Sequence, residues 1–590
     1  MQFTRWTPLL LFFTSACFGQ GLEGKANVSS DLAAAVVANT ANPEAIYNVI
    51  CQFKTPLTAA QKAEIRAQSA NPADDTDLSA INAQYLSVNS HALNGLANNP
   101  NAAWISLDRP VLPMLDIDNS ATGADMAFSS GFTGAGVGVA IIDSGILLPQ
   151  SDLLSNTSRN TSRVVYSQSF VPKLSGASDQ YGHGTHVAGI VAGNGANSTG
   201  SAYSKTFRGI APNANLINLR VLDANGAGTD SAVISAISAA IKLKSTYNIR
   251  VINLSLGRPV FESYTLDPLC QAVESAWKAG IVVVVAAGND GRNNSQKTNG
   301  YATINAPGND PYVITVGAMK NVGTMTRLDD LIASYSSKGP TLIDHVVKPD
   351  LVAPGNRTVS LLASKALISN SSTSANLVPY NYYQSNGGSG SSANYLRLSG
   401  TSMAAPIVSG AAALMVGRDP RLTPETVKAR LMLSATKAFP LYSTATDSVT
   451  GATYTSQYDI FTIGAGYVDI WGALNNTASV ASGSSAASPT AVFNSATNTV
   501  TISGSTLPSG TAAVWGSTGV FGAAAVWGSS VFVDGTAAVW GSDTSLWGTA
   551  AVWGSSTVTG SAAVWGSAAV WGSTTKDSGE SLSLLINGEN

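Results

Sequence analysis

Three short segments, far apart along the chain, hold an acid, an imidazole and an alcohol. They read Asp143-Ser-Gly145, Asp179-Gln-Tyr-Gly-His-Gly-Thr-His-Val-Ala-Gly189 and Leu398-Ser-Gly-Thr-Ser-Met-Ala-Ala-Pro406. Nucleophilic catalysis needs these parts, because a serine hydroxyl is a weak nucleophile until a neutral imidazole takes its proton. A carboxylate then fixes the imidazole tautomer and stabilises the imidazolium. A fourth segment, Ala286-Ala-Gly-Asn289, puts an amide after the most apolar run of the chain, where it can donate to an oxyanion without adding charge. Each residue also has a plainer use. Asp143 can cap a turn, Asn289 can form the turn before Asp290-Gly291, and Ser402 can be a helix N-cap. Capping and catalysis are compatible, since a helix N-terminus presents free N–H groups to an anion. His183 and His186 stand at i, i+3, the spacing of a metal pair, but the chain offers neither H-E-x-x-H nor an evident third ligand. Gly182 and Gly184 leave His183 uncrowded, whereas Thr185 to Gly189 reads as a helix packing inward, which makes His186 the structural histidine.

These residues need a scaffold that brings them together. Runs at 136–142, 215–221, 251–255, 281–285 and 312–316 are almost continuously apolar, as strands buried on both faces are. Ser231 to Lys242 and Leu269 to Ala279 carry helical spacing between them. The alternation predicts a βαβ-built, three-layer α/β domain with right-handed crossovers. Reactive groups in such sheets gather beyond the carboxyl ends of the strands, and the segments above do follow the runs.

Of 590 residues, 32 are basic and 35 acidic, a net charge of −3 that gives no electrostatic reason to bind nucleic acid or anionic lipid. Only 11% are charged, well below the roughly 25% of an average globular protein. Three cysteines cannot build a disulfide framework. No internal apolar run is long enough to span a membrane.

In their order Asp, His, Ser, the three segments resemble the signatures of subtilisin-like (S8) serine proteases. The resemblance covers roughly 120 to 475, and Gly464-Ala-Gly-Tyr-Val-Asp469 is similar to the family's closing segment. It implies that Asp143 orients the base, His183 is general base and then acid, and Ser402 is the nucleophile. Asn289 and the Ser402 N–H would form the oxyanion hole. Ser255, Leu256 and Gly257, with Ala286, Ala287 and Gly288, match segments that line the family's substrate cleft. Asp179 matches a position that biases a neighbouring subsite toward basic side chains. Residues 45–110 resemble the family's inhibitory propeptide: a strand at 45–53, a helix from Thr58 to Ala70 and a returning strand at 101–108. A self-cleavage is expected between 109 and 125. Cys51 would then leave, so no lasting bridge to Cys270 is expected. Two stretches depart from compact family members. Residues 357–396, ahead of the nucleophile, are long and polar, a lid, a subsite extension or disorder. Asn194 to Arg208 is expanded where some relatives bind calcium, and Asp152 resembles a calcium-ligand position. No cofactor is implied for the chemistry.

The N-terminus has the layout of a secretory signal peptide, with Cys17 in a poor lipid-attachment box. Near the C-terminus, A-V-W-G-S begins at Ala513, Ala525, Ala538, Ala551, Ala563 and Ala569. A step of about six residues suits a small stacked β array, or equally a sticky low-complexity stalk. Glycans, a cell surface or another copy of the repeats are the candidate partners. The expected organisation is signal peptide 1–19, propeptide 20–118, peptidase domain 119–478, linker 479–512, repeats 513–573 and polar tail 574–590. The expected function is a secreted, self-processing serine endopeptidase acting on proteins or peptides, with its own propeptide as inhibitor. A catalytically silent adhesion protein on the same scaffold is the second reading. An α/β-hydrolase esterase is a third and poorer reading, because G-x-S-x-G is missing and that fold puts the nucleophile before its acid and histidine.

Overall fold

The computed structural model describes residues 25–503, apart from 26, 40–41, 43, 74, 79–81, 108–116, 156–160, 296–297, 372–375, 448–449 and 495–498, and again 584–586 and 588–589. The expected signal peptide and the A-V-W-G-S repeats lie outside the described residues. The chain forms two compact units that divide between Leu112 and Pro113.

The first unit is α+β. Strands β1 (Tyr47–Phe53), β2 (Thr76–Leu78), β3 (Ala83–Val88) and β4 (Ala102–Leu107) form an antiparallel sheet in the order β2-β3-β1-β4. The helix Ala59–Arg66 opens on Thr58, whose hydroxyl accepts from the Gln61 N–H while the Gln61 side chain accepts from the Thr58 N–H. That reciprocal cap satisfies two otherwise orphaned donors. Val49, Cys51, Leu86 and Ile105 lie fully buried in its core.

The second unit is the three-layer α/β sandwich the periodicity predicts. Its sheet contains β5 (Gly138–Asp143), β6 (Val164–Ser169), β7 (Asn215–Arg220), β8 (Ile249–Leu254), β9 (Val282–Ala286), β10 (Ile314–Lys320), β11 (Leu331–Ile332) and β12 (Leu351–Pro354). The order is β11-β10-β9-β8-β5-β7-β6, with β12 also on β10, and every pairing is parallel except β10 with β11. Each residue of β9 is buried, and full burial of a valine side chain is worth about 1.5–3 kcal/mol. Helices Asp230–Tyr247 and Pro268–Lys278 pack together as the crossovers of β7-β8 and β8-β9. Helices His183–Ala192 and Thr401–Arg418 pack together, the first on β5 and the second on β8, β9 and β10.

The polar stretch 357–396 is a folded subdomain. Strands β13 (Thr358–Leu361), β14 (Leu377–Pro379) and β15 (Ser391–Leu398) form an antiparallel sheet in the order β13-β15-β14. Its aromatic rings pack on the other expanded stretch: Phe207 meets Tyr383 at 5.2 Å and Tyr395 at 4.8 Å between ring centres. The tyrosines give this polar sequence an apolar core.

Two boundaries need correction. Residues 479–494 are not a free linker. The Val347 N–H donates to Pro489 O and the Ala491 N–H to His345 O, both at 2.8 Å. Ser488 accepts from Lys428 Nζ at 2.9 Å and donates to Asp350, joining a buried cluster in which Lys348 and Lys428 hold that carboxylate at 2.7 and 3.1 Å. Buried charges must be partnered, and one serine in a bland stretch does this. The tail is not wholly polar surface either, because Leu585, Ile586 and Glu589 are buried.

Candidate active site

The site grows from the parallel pairing of β5 with β8. Asp143 is the last residue of β5, and Ser255 follows the last residue of β8. Ile141 pairs with Asn253, so Asp143 and Ser255 leave neighbouring strands at one rim, about 4.8 Å apart by ordinary strand spacing. His183 Nδ1 bonds Asp143 Oδ1 at 2.8 Å, and the Ser402 hydroxyl donates to Ser255 O at 3.2 Å. The acid–imidazole pair and the alcohol are therefore held by adjacent strand ends.

Asp143 is fully buried, and the same Oδ1 accepts from the Ser144 N–H at 2.7 Å. A carboxylate can only accept here, so Nδ1 carries the ring hydrogen and Nε2 is free to take a proton. Burial alone would lower the pKa of His183, but the adjacent Asp143 charge and hydrogen bond, with the Asp179 charge, raise it above 6.5. His186 is held neutral: burial and the His183 charge push its pKa down to about 3, and its Nε2 faces Leu396 O at 3.3 Å.

Ser402 is the second residue of its helix, so its N–H has no partner one turn back. Pro406 stands four residues on and lacks the N–H that would otherwise donate to Ser402 O. The Ser255 hydroxyl takes that place, donating to Ser402 O at 2.8 Å. Ser255 thus grips Ser402 at both its hydroxyl and its carbonyl. Asn289 follows β9, and its Oδ1 accepts from the Thr401 N–H at 2.9 Å and the Thr401 hydroxyl at 3.0 Å. An N–H can only donate, so these bonds fix the amide orientation and leave Nδ2 on the opposite side as a donor. Ser255-Leu-Gly257 and Ala286-Ala-Gly288 leave the sheet side by side, since Leu254 pairs with Val285. Gly288 has φ +109°, and a Cβ there would stand 2.8 Å from both Asn305 Nδ2 and Ser337 Oγ.

Asp179 does not fill its expected subsite role. It is 2% exposed, and its own chain occupies both oxygens. Oδ1 accepts from Ser144 Oγ and the Gly182 N–H; Oδ2 accepts from the Thr185 N–H and hydroxyl, all at 2.7–2.8 Å. It clamps the turn that presents His183. Ser144, not singled out in the sequence, completes the clamp by accepting from the Gly184 N–H at 2.8 Å. Its position beside Asp143 was the available signal, as Pro406 was for Ser255.

Asp152 does not fit calcium. Its oxygens accept from the Asn197 N–H at 2.8 Å and from Tyr395 Oη at 2.6 Å, donors where the ion requires further oxygen acceptors. Among the described residues no three His, Cys, Asp or Glu side chains gather as a metal site. Cys51 and Cys270 are both free and buried. Among the described residues no helix is long and apolar enough to cross a membrane.

Comparison with known proteins gives the family. The subtilase family model matches residues 134–453, more than half of the chain. Serine protease AprX of Bacillus subtilis (strain 168) is 36% identical over 59% of this chain and 73% of its own length. Subtilisin DY of Bacillus licheniformis is 38% identical over 53% of this chain and 88% of its own length. Subtilisin E of Bacillus subtilis (strain 168) is 33% identical over 60% and 76%. On these matches the chain belongs to the subtilase family and is a serine endopeptidase.

Proposed function

We propose that Asp143, His183, Ser402 and Asn289 are the catalytic groups of a secreted endopeptidase made as a self-processing zymogen. The observation that carries this reading is the buried 2.8 Å bond between His183 and Asp143, next to the Ser255 anchor of Ser402. In the proposed reaction the Ser402 hydroxyl turns from Ser255 O to His183 Nε2 and gives up its proton as Oγ attacks the substrate carbonyl carbon. The negative oxygen is taken by Asn289 Nδ2 and the Ser402 N–H, donors already in place before charge develops. The C–N bond breaks as His183 passes its proton to the leaving amine, leaving an acyl-enzyme on Ser402. Water then repeats the sequence, with His183 as base, and frees the carboxylate product. Only protein groups and water take part.

The first unit serves in this reading as a propeptide that inhibits the enzyme and is cut off by it. Its antiparallel sheet with a capped helix supports that role, and the division at Leu112 and Pro113 falls inside the window expected for the cut. The filled catalytic positions favour this over a silent adhesion scaffold.

One experiment tests it: label the purified full chain with a fluorophosphonate, map the modified residue, and sequence the new N-terminus. Ser402 is expected to carry the label. Ser402→Ala is expected to abolish labelling, hydrolysis and the cut together, whereas a Ser402→Ala chain that still hydrolyses peptides overturns the assignment.

A further inference from the structure

The last residues of the chain return to the peptidase unit and bury themselves beside its reactive rim. Glu589 is 4% exposed. Its Oε2 accepts from Arg292 Nη2 at 3.0 Å, the Ser334 N–H at 2.9 Å and Ser334 Oγ at 2.5 Å, and Lys320 Nζ stands 3.7 Å from Oε1. Two cations and two hydrogen-bond donors around one carboxylate are what a buried charge requires. The Asn356 amide reads the Glu589 backbone at two points, accepting from its N–H at 2.8 Å and donating to its carbonyl at 2.7 Å. Gly588 has φ +64°, and a Cβ there would lie 2.3 Å from Ser399 Oγ and 2.9 Å from Asn356 Oδ1. The Asn376 amide donates to Ile586 O, and the Ser399 N–H donates to Leu585 O at 2.9 Å. Arg292 is itself positioned, by Ser334 Oγ at 2.8 Å, Asp447 at 2.6 Å and the Tyr454 ring at 5.0 Å.

Two of these partners lie close in sequence to the oxyanion amide and the nucleophile and mark one wall of the site. Arg292 lies three residues beyond Asn289, and Ser399 three before Ser402. We propose that this wall is a binding site for an acidic peptide segment with glycine before glutamate, filled here by the chain's own Leu585, Ile586, Gly588 and Glu589, and that its occupancy restrains cleavage of extended substrates. In this proposal the Ser399 N–H, which Leu585 O occupies here, is a donor that an extended substrate strand meets when the segment is absent. A small ester needs no contact so far along the wall. The site therefore regulates the reaction assigned to Ser402, and rests on that assignment for its effect on turnover.

The test uses the full chain carrying Glu589→Lys, which opposes Arg292 and Lys320, and separately Gly588→Ala, which obstructs seating while leaving every charge in place. Both variants are expected to raise kcat/KM on a ten-residue peptide by at least about fivefold, the low end of a regulatory coupling, and to leave a small ester's turnover unchanged. A fluorescent synthetic peptide of residues 584–590 is expected to bind Glu589→Lys saturably by anisotropy and to return the long-peptide rate toward wild type. Equal long-peptide rates in wild type and both variants overturn the proposal, as does the absence of saturable binding. Should the enzyme neither label with fluorophosphonate nor hydrolyse, the Ser402 assignment fails by itself. Anisotropy then decides the peptide site: saturable binding supports it, and none overturns it.

Discussion

Replacing Asp179 by asparagine changes almost no shape, yet the structure makes it a severe substitution. Oδ1 faces the Gly182 N–H at 2.7 Å and Oδ2 faces the Thr185 N–H at 2.8 Å. Both are backbone donors and neither can turn round, so either orientation of the amide sets its NH₂ against one of them. The Ser144 and Thr185 hydroxyls can rotate, but the backbone cannot. One charge-assisted bond, about 1.5–3 kcal/mol, is lost, and one buried N–H is orphaned at about 1–3 kcal/mol. Asp179→Asn is therefore expected to cost roughly 2.5–6 kcal/mol of stability, read from urea unfolding of fluorophosphonate-inactivated protein so that self-digestion does not intrude. Loss of the Asp179 charge also removes one influence that raises His183, so the acid limb of activity should move down in pH. The preference for basic over neutral side chains in the substrate should stay the same. A variant within about 0.5 kcal/mol of wild type that loses a basic preference would show that Asp179 faces substrate after all.

Two further outcomes follow from the same contacts. Since His183 must be neutral to act as base and its pKa is raised, kcat/KM should climb with an apparent pKa above 6.5, and a fully active enzyme at pH 5 would contradict its role. Ser255→Ala removes the hydroxyl that satisfies Ser402 O in place of the N–H missing at Pro406; an orphaned carbonyl costs about 1–3 kcal/mol. With Ser402, the proposed nucleophile, less firmly held, kcat should fall more than KM changes, and a pure KM effect in steady-state kinetics would refute positioning through Ser255.

Much of the fold was legible because its strands are buried on both faces, which writes uninterrupted apolar runs such as Val282–Val285 into the chain. Asp143 and Asn289 were legible because each follows such a run, and His183 and Ser402 because the segments around them resemble the family's signatures. Local sequence also marked the Thr58 cap. Three features were closed to that reading. Asp179 looked like a substrate contact because sequence shows a residue's type but not which donors surround it. In sequence the 357–396 stretch reads as a lid, a subsite extension or disorder, because its tyrosines find their partners in Phe207 and Tyr203, far earlier in the chain. Residues 479–494 and Glu589 looked like linker and tail because their worth lies in single long-range bonds, Ser488 to Lys428 and Glu589 to Arg292. Patterns repeated along one segment determine strands, helices and motifs by themselves. A buried charge acquires its meaning only from the partners that tertiary folding brings to it, since water is no longer there to serve as one.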